Sequence, residues 1–377
     1  MWKIPLFDIG FDKQEKEAVR QVLDSGWLTM GGETERFEQR FSEYMNVKHA
    51  IAVSNCTAAL HLANLALGIG EGDEVICPSL SFVAGANSII YTGAKPVFAD
   101  VTGLTDFNIS PDDIAAKISK KSKAIQILHY AGNPCNMSSI MEIADNYGLS
   151  VIEDCAHAVN SKYKGKRLGS IGDFSIYSFS KFAYCNVLGG VGFKNYEFNQ
   201  FFNEHLKKSS KTLATIINLI KLLSTYNINR GGGKVVNLGL TNGLTSMAYS
   251  RYTDSLVPSR GSINMFEKQF KKECILRLEN YQYIKEALDE YGVFEHLTGN
   301  ISVIPYAVPL KLPLKISQRI VKKLRILGLE TGIYNFDIDR FMPEPNFIKT
   351  ILLPCHSNLS RTTISSMIDI IVSEIRA

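Results

Sequence analysis

Two acidic residues end an apolar run in VIEDCAHAV, residues 151–159. We expect a strand here that ends at Asp154 and brings its carboxylate to the carboxyl edge of a parallel sheet, where open α/β folds bind ligands. A carboxylate at that edge can keep a pyridine nitrogen protonated, and His157, one short turn later, can donate a hydrogen bond to a phenolic oxygen on the same ring. The alternative is that Glu153 and Asp154 only cap the following turn.

A lysine lies in an unusual setting in DFSIYSFSKFAYCNVLGGVGF, residues 173–193. Lys181 is surrounded by aromatic and small residues, although burying an ammonium group costs free energy unless it is neutralised or covalently bonded. A lysine in such surroundings is a good nucleophile toward an aldehyde. Ser178 could point its hydroxyl at a phosphate, and Gly189-Gly190 would let the chain pass close to a bound ring. The alternative is a lysine on an edge strand whose amine reaches solvent.

Two further segments place polar or aromatic side chains between a strand and a helix. VSNCTAALHLANLAL predicts a helix that opens at Cys56, Thr57 and Ala58, and the free backbone amides of such a helix end bind phosphate. Taken alone, a Ser/Asn/Thr cluster of this kind is more often a plain N-cap. In PSLSFVAGANSII, the ring of Phe82 could cover one face of a planar ligand or could be ordinary core.

The elements that must position these residues alternate along the first 200 residues. Short, almost continuously apolar β-type runs are separated by amphipathic segments of helical length, which predicts an α/β fold with a mainly parallel sheet covered on both faces. We assume right-handed crossovers. Helices are expected over residues 11–24 and 33–45, and the expected strands are HAIAVS, DEVICPS, AKPVFADV, KAIQILHY and SVIEDCA.

The pattern changes past residue 194. Residues 205–224 are basic and then apolar, and the Gly- and Asn-rich stretch NINRGGGKVVNLGLTNG favours loop. A long helical pattern resumes near residue 263, followed by β-type NISVIPYAVPL and by helices in SQRIVKKLRILG and TTISSMIDIIVSEIRA. We therefore predict a large domain over residues 1–255 and a small C-terminal α+β domain over residues 256–377.

Composition excludes several classes of protein. A net charge of +4 with 21% charged residues describes an ordinary globular chain, so we expect no nucleic acid partner. The cysteines form no CxxC pairs, which fits a reducing cytoplasm, and we expect no metal site. We recognise no secretion signal at the N-terminus, and TLATIINLIKLLSTYNI is too short and too polar to span a bilayer. No GxGxxG follows the first strand, which argues against a nicotinamide-binding Rossmann domain.

Taken in order, these segments resemble the nucleotide-sugar aminotransferases of the DegT/DnrJ/StrS type, a branch of the fold-type I pyridoxal 5′-phosphate (PLP) enzymes. The resemblance runs from about residue 4 to residue 194. Besides the segments above, it includes SGWLTMGGETERFEQRF, TDFNISPDDI, HYAGNPCNMSSIMEIADNYG and YKGKRLGSIGDFSIYSF.

The resemblance implies a role for each candidate residue. Asp154 would pair with the pyridine nitrogen of PLP, His157 would lie beside the ring oxygen, and Phe82 would stack on the ring. Lys181 would be the Schiff-base lysine, which also moves protons during the reaction. The implied phosphate seat consists of Cys56, Thr57, Ala58 and Ser178.

The resemblance also implies a reaction. An amino group would move from an amino acid, glutamate by family analogy, to a keto group of a nucleotide-linked sugar during polysaccharide or glycan precursor synthesis. Family members are homodimers with the site at the subunit boundary. Two alternatives stay open. One is a PLP-dependent sugar dehydratase, in which a histidine replaces the lysine. The other is a degenerate, non-catalytic PLP-fold sensor or binding protein.

This sequence departs from the family pattern in two places. Lys181 comes two residues early relative to Ser178-Phe179, and Ala183 stands where strict counting places the lysine, yet Lys181 is the only lysine of that loop. Residues 205–262 have no clear counterpart of the segment that reaches the phosphate of the partner subunit. We expect the apolar part of this stretch to pack in the core or the dimer rather than against a membrane.

Overall fold

The structure is a computed structural model that describes most of the chain. The described residues are 3, 4, 6, 13–26, 31–103, 106–183, 188–195, 197–208, 258, 260–293, 305–310, 312–335 and 349–377. Most of the atypical stretch 205–262 lies outside them.

A seven-stranded sheet forms the centre of the N-terminal part. Its strands are β1 (His49–Val53), β2 (Glu74–Pro78), β3 (Lys95–Ala99), β4 (Ser122–Leu128), β5 (Ser150–Asp154), β8 (Phe174–Ser178) and β9 (Gly189–Phe193). Their order is β1-β9-β8-β5-β4-β2-β3, and only β9 runs antiparallel to its neighbours. The prediction of an α/β fold with a mainly parallel sheet is therefore confirmed.

Helices flank this sheet, and the first three lie close to their predicted positions. They are α1 (Lys13–Asp24), α2 (Gly32–Met45), α3 (Cys56–Ala66), α4 (Ala84–Ile90), α5 (Pro111–Lys117), α6 (Met137–Tyr147) and α7 (Glu197–Lys208). Glycine ends α6, because Gly148 adopts a left-handed φ of 64° that a side chain would disfavour. Since β1, β2, β4 and β5 are buried along almost their whole length, their apolar runs reflect cover on both faces.

A small hairpin was not predicted. It consists of β6 (Lys162–Tyr163) and β7 (Lys166–Arg167). Lys164 and Gly165 connect the two strands with φ values of 47° and 82°. Two consecutive positive φ values are typical of the tight hairpin turns that match the twist of a sheet.

The C-terminal part has a hydrophobic core of its own. The long helix α8 (Arg260–Leu288) leads into it. The α-helices and strands that follow among the described residues are β10 (Val308–Leu310), α9 (Leu314–Ile326), β11 (Ile333–Asn335), β12 (Lys349–Leu353) and α10 (Arg361–Arg376). The strands form an antiparallel sheet in the order β10-β12-β11, and buried residues from Tyr281 to Ile371 form one cluster. The boundary placed between residues 255 and 256 lies outside the described residues and stays a prediction. Among the described residues, no helix combines the length and apolarity needed to cross a bilayer.

A carboxyl group on α2 accepts a hydrogen bond from β1. Glu38 Oε1 accepts a hydrogen bond of 2.8 Å from Ala52 N. Burial raises the pKa of Glu38 from 4.5 to about 7, and this effect outweighs the opposite effect of the Ala52 amide. The folded protein therefore holds this proton more tightly than the unfolded chain does.

This difference predicts how stability depends on pH. The raised pKa of Glu38 stabilises the folded state below pH 4.5, and the contribution is lost as the pH rises toward about 7. We expect this decline in stability between pH 4.5 and 7.5 to be absent from the E38Q variant. The free energy of unfolding, measured with urea across that pH range, tests this. The control is E43Q, because Glu43 is exposed on the same helix. This variant should keep the pH dependence of the unmodified protein. Equal slopes for E38Q and the unmodified protein would contradict the assignment.

Candidate active site

Asp154 ends β5 in the middle of the sheet, at its carboxyl edge. The strand register pairs Asp154 with Leu128 on one side and Ile176 on the other. Its side chain is 7% exposed, and its Oδ1 accepts a hydrogen bond of 2.9 Å from Ala156 N, so the capping alternative does occur through one oxygen. Among the described residues, none donates a hydrogen bond to Oδ2. Burial raises the pKa of Asp154, which means that its charged form needs a positive partner.

Glu153, the other acidic residue of the pair, has a different role. Its two carboxylate oxygens accept hydrogen bonds from the amides of Gly169, Ile171 and Gly172 at 2.8, 2.8 and 2.5 Å. His129 Nε2 lies 3.1 Å from Oε2. Burial alone would raise the pKa of Glu153, but these hydrogen bonds hold it below its ordinary value. Glu153 is therefore a buried anion that fixes a loop behind the sheet edge.

The His157 ring faces the same edge as Asp154. Its Nδ1 accepts a hydrogen bond of 3.4 Å from Ala131 N, which leaves the proton of the neutral ring on Nε2. Tyr306 stacks on this ring with 4.6 Å between centroids and an interplanar angle of 2°. Burial holds the pKa of His157 well below its ordinary value, and nearby Lys181 adds to this effect. At neutral pH, His157 is an uncharged donor through Nε2.

Lys181 ends a short 3₁₀ helix, Phe179–Lys181, that directly follows β8. Because β8 lies between β5 and β9, the alternative of an edge-strand lysine is wrong. The Lys181 ammonium is 5.6 Å from the centre of the Tyr306 ring. Burial is the largest influence on the pKa of Asp154, His157 and Cys56, and the positive charge of Lys181 lowers all three pKa values. The amine is therefore close to the other candidate residues.

Ala183, the residue at the counted position of the family lysine, is placed differently. Its side chain is fully buried in the aromatic cluster that includes Phe179, Phe182 and Phe266. A lysine at this position would have to bury its charge among aromatic rings. Lys181 is half-buried and next to the site, so the shift of two residues brings an amine to the sheet edge.

The start of α3 meets the ends of three strands. Ala58 N donates a hydrogen bond of 2.9 Å to Asn55 Oδ1, so this amide serves the N-cap of the helix. Neither the Cys56 amide nor the Thr57 amide donates a hydrogen bond to another described residue. Cys56 Sγ lies 3.9 Å from Asp154 Oδ1. This helix end therefore leaves two donors for an anion beside the Asp154 carboxylate.

Gly189 and Ser178 lie beside the start of α3. The register places Gly189 opposite Val53 on one side and opposite Ser178, which is 8% exposed, on the other. A Cβ atom on Gly189 would lie 2.5 Å from Asn55 C and 2.8 Å from the Cys56 amide nitrogen. The absence of a side chain at Gly189 therefore lets β9 approach the start of α3.

Phe82 precedes α4 at the same end of the sheet. Its side chain is 71% exposed, so the alternative of an ordinary core residue is wrong. No described contact joins Phe82 to Asp154, His157 or Lys181.

Tyr306 and Arg277 belong to this neighbourhood, although sequence reasoning missed them. Both come from the C-terminal third of the chain, where the resemblance is thin. The available signal was the i, i+4 spacing of Glu273 and Arg277 in ECILRLE, which predicts an ion pair on α8 but does not reveal that it is buried.

The N-terminal half of the chain resembles known aminotransferases. Residues 10–189 match the sequence model of the DegT/DnrJ/EryC1/StrS aminotransferase family. Over these residues, the chain is similar to members of that family. GDP-perosamine synthase from Escherichia coli O157:H7 is 49% identical over 177 residues, which are 47% of this chain and 48% of that protein. The chain spans about half the length of the curated relatives that it matches.

Solved structures match over almost the whole chain. An aminotransferase from Psychrobacter cryohalolentis has a TM-score of 0.76 at 25% identity and covers 100% of this chain and 99% of its own. The putative sugar aminotransferase Spr1654 from Streptococcus pneumoniae, solved in a PMP form, has a TM-score of 0.78 at 18% identity with 99% of each chain covered. The likeness in fold to these aminotransferases thus extends beyond residue 189.

The close approach at Gly189 predicts the effect of a single methyl group. G189A should lower the free energy of unfolding by about 1–3 kcal/mol, because β9 or the start of α3 must move. Urea unfolding measures the loss. In the control G70A, the added Cβ would find only Thr92 O, at 3.8 Å, so its stability should stay close to that of the unmodified protein. Equal stability of both variants would contradict the described contact.

Proposed function

We propose that this chain is a cytoplasmic PLP-dependent aminotransferase that moves an amino group from glutamate to a keto group on a nucleotide-linked sugar. The observation that carries the proposal is the meeting of Lys181, Asp154 and His157 at one sheet edge. A nucleophilic amine, a buried carboxylate and a neutral imidazole donor are the groups that a pyridine aldehyde requires around its ring.

The residues present fit PLP. Asp154 has an oxygen, Oδ2, that accepts no hydrogen bond from another described residue, and its burial favours a positively charged partner such as a protonated pyridine nitrogen. We assign His157 Nε2 to the phenolic oxygen and Phe82 to one face of the ring.

The Cys56 and Thr57 amides, the Thr57 hydroxyl and Ser178 would hold the phosphate. Ala58 shapes this seat through its bond to Asn55 rather than by donating to the phosphate.

PLP supplies an electron sink that stabilises negative charge at the α-carbon of an amino acid. The chain itself contributes the proton transfers. Lys181 Nζ would act as the base that takes the proton from the α-carbon of the donor, and later as the acid that gives a proton to the sugar carbon that receives the amine. Asp154 would balance the positive charge of a protonated ring nitrogen. The neutral His157 orients the ring without adding a competing charge.

The name of one relative suggests the first acceptor to test. The E. coli protein is named for GDP-perosamine, so we propose a GDP-linked keto-sugar as the substrate class. Dehydration is the weaker alternative, because the dehydratase branch lacks the lysine and no histidine occupies residues 178–190.

We also propose a homodimer with the site at the subunit boundary. Large apolar side chains are exposed at both ends of α4: Phe82 at 71%, Val83 at 49%, Ile90 at 53% and Tyr91 at 51%. Apolar surface of this kind next to a site supports burial against a second copy.

The central test uses the full chain incubated with PLP. Borohydride reduction followed by peptide mapping should leave the cofactor mass on the peptide that contains Lys181. Added glutamate should convert the absorbance to that of the pyridoxamine form, and a GDP-linked keto-sugar should then gain an amine, detected by mass spectrometry. K181A should lose the label and the transfer. K194A, which changes an exposed lysine bound to Ile171 O, should retain both.

Each other outcome has a definite meaning. A sugar that loses a hydroxyl group without gaining an amine would show a dehydratase. PLP binding without a labelled lysine or any turnover would show a binding protein. A label on a different lysine would remove Lys181 from its proposed role.

The role of Asp154 leads to a second prediction. D154N keeps the shape of the side chain but cannot balance a positive ring nitrogen, so kcat should fall by about 100-fold or more. The control is D173N, because Asp173 accepts a hydrogen bond of 2.8 Å from Val151 N at the opposite end of β5. Its kcat should stay close to that of the unmodified enzyme. Similar losses in both variants would indicate damage to the strand rather than to the site.

A further inference from the structure

Arg277 joins three segments of the chain from a fully buried position on α8. Its Nη2 donates a hydrogen bond of 2.8 Å to Lys181 O, and its Nη1 donates one of 2.8 Å to Tyr306 O. Its Nε donates to Glu273 Oε1 at 2.5 Å. One planar cation thus holds two carbonyl groups that lie far apart in sequence.

Those two carbonyl groups belong to residues whose side chains meet in the candidate site. The Lys181 ammonium lies 5.6 Å from the centre of the Tyr306 ring, and the same ring stacks on His157 at 4.6 Å. Arg277 is also 5.3 Å from the ring of Phe182, the residue after Lys181. Arg277 therefore contacts the backbone of Lys181 and Tyr306, whereas their side chains lie in the candidate site.

The cost of this arrangement argues for a geometric role. Removing an arginine and a glutamate from water is expensive, and apolar packing of equal volume is often as stable as a buried ion pair. Apolar side chains cannot hold two carbonyl oxygens at fixed positions, whereas the planar guanidinium can. Glu273 is 2% exposed, and its Oε1 also accepts from Ser357 N at 3.4 Å, so the anion is itself held in place.

We propose that Arg277 is a positioning residue that aligns the Lys181 amine with the stacked rings of His157 and Tyr306. This inference rests on the proposed role of Lys181. It adds a way for the C-terminal part of the chain to control the reactivity of the lysine, because the Arg277 hydrogen bonds connect α8 and the Tyr306 segment to the lysine loop.

The test compares R277K with N280A in the full chain. Lysine keeps the charge but cannot reach both carbonyl groups. Asn280, three residues along the same helix, donates hydrogen bonds to Cys355 O and His356 O at 3.4 and 3.0 Å and has no described contact with Lys181. N280A is therefore the control: it removes hydrogen bonds within the C-terminal part and leaves the bond to Lys181 O in place. Thermal unfolding of both variants shows whether their losses of stability are comparable.

Two rates then measure the position of the amine. The first is the rate at which PLP attaches to Lys181, measured by trapping the bond with borohydride. It should fall about tenfold or more in R277K, because small displacements of a reacting group cost large factors in rate. The second needs no cofactor: the rate at which an amine-reactive ester modifies Lys181 relative to Lys194 should rise in R277K, since the lysine loop is released. Both rates in N280A should stay close to those of the unmodified protein.

The outcomes separate this inference from the proposed function. Equal rates in R277K and N280A would overturn the positioning role, even if the unmodified protein attaches PLP. If the unmodified protein attaches no PLP, the proposed function fails. The ester then still decides whether Arg277 positions Lys181, because that readout does not depend on the cofactor.

Discussion

The candidate site depends on a carboxylate that the fold buries at the edge of its central sheet. Asp154 loses most of its contact with water, and burial raises its pKa despite the amide of Ala156. A carboxyl group in this position either holds a proton or attracts a cation. The positive charge of Lys181 lowers the pKa of Asp154, and no described residue donates a hydrogen bond to Oδ2. A ligand that brings its own positive charge to this oxygen would meet the electrostatic need of the fold.

The neighbouring carboxylate shows why position on the strand matters. Successive side chains of β5 point to opposite faces of the sheet. The Glu153 carboxylate consequently accepts hydrogen bonds from backbone amides and lies beside His129, whereas Asp154 faces the start of α3 and the lysine loop. One strand thus gives two buried anions different tasks, because only one of them has its hydrogen-bonding capacity filled by the protein.

Much of the site could be predicted from local sequence. The apolar strand that ends in Asp154 and the helix that opens at Cys56 are local patterns, and the structure has both close to the predicted residues. Counting along the family motif was less reliable, since Ala183 is buried among aromatic rings and Lys181 is the residue beside the site. The capping role of the Ala58 amide depends on the rotamer of Asn55, which the residue types alone do not specify.

The contribution of the C-terminal part could not be read from the sequence. Tyr306 and Arg277 reach the site through contacts with residues more than 90 positions away, such as the bond from Arg277 to Lys181 O. Periodicity predicted the helix that carries Arg277, but it cannot show which neighbour covers that face of the helix. Contacts of this kind become visible only when the whole chain is folded.

The pairing of β9 also has a consequence for how the protein is made. Among the described strands of the central sheet, β1 pairs with β9 alone, with His49 opposite Phe193 and Val53 opposite Gly189. A ribosome must therefore add more than a hundred residues after β1 before this strand finds its partner. During that time the apolar β1 and the first turn of α3 stay exposed on the nascent chain. Slow, long-range closure of this kind is typical of polypeptides that need protection from aggregation during synthesis.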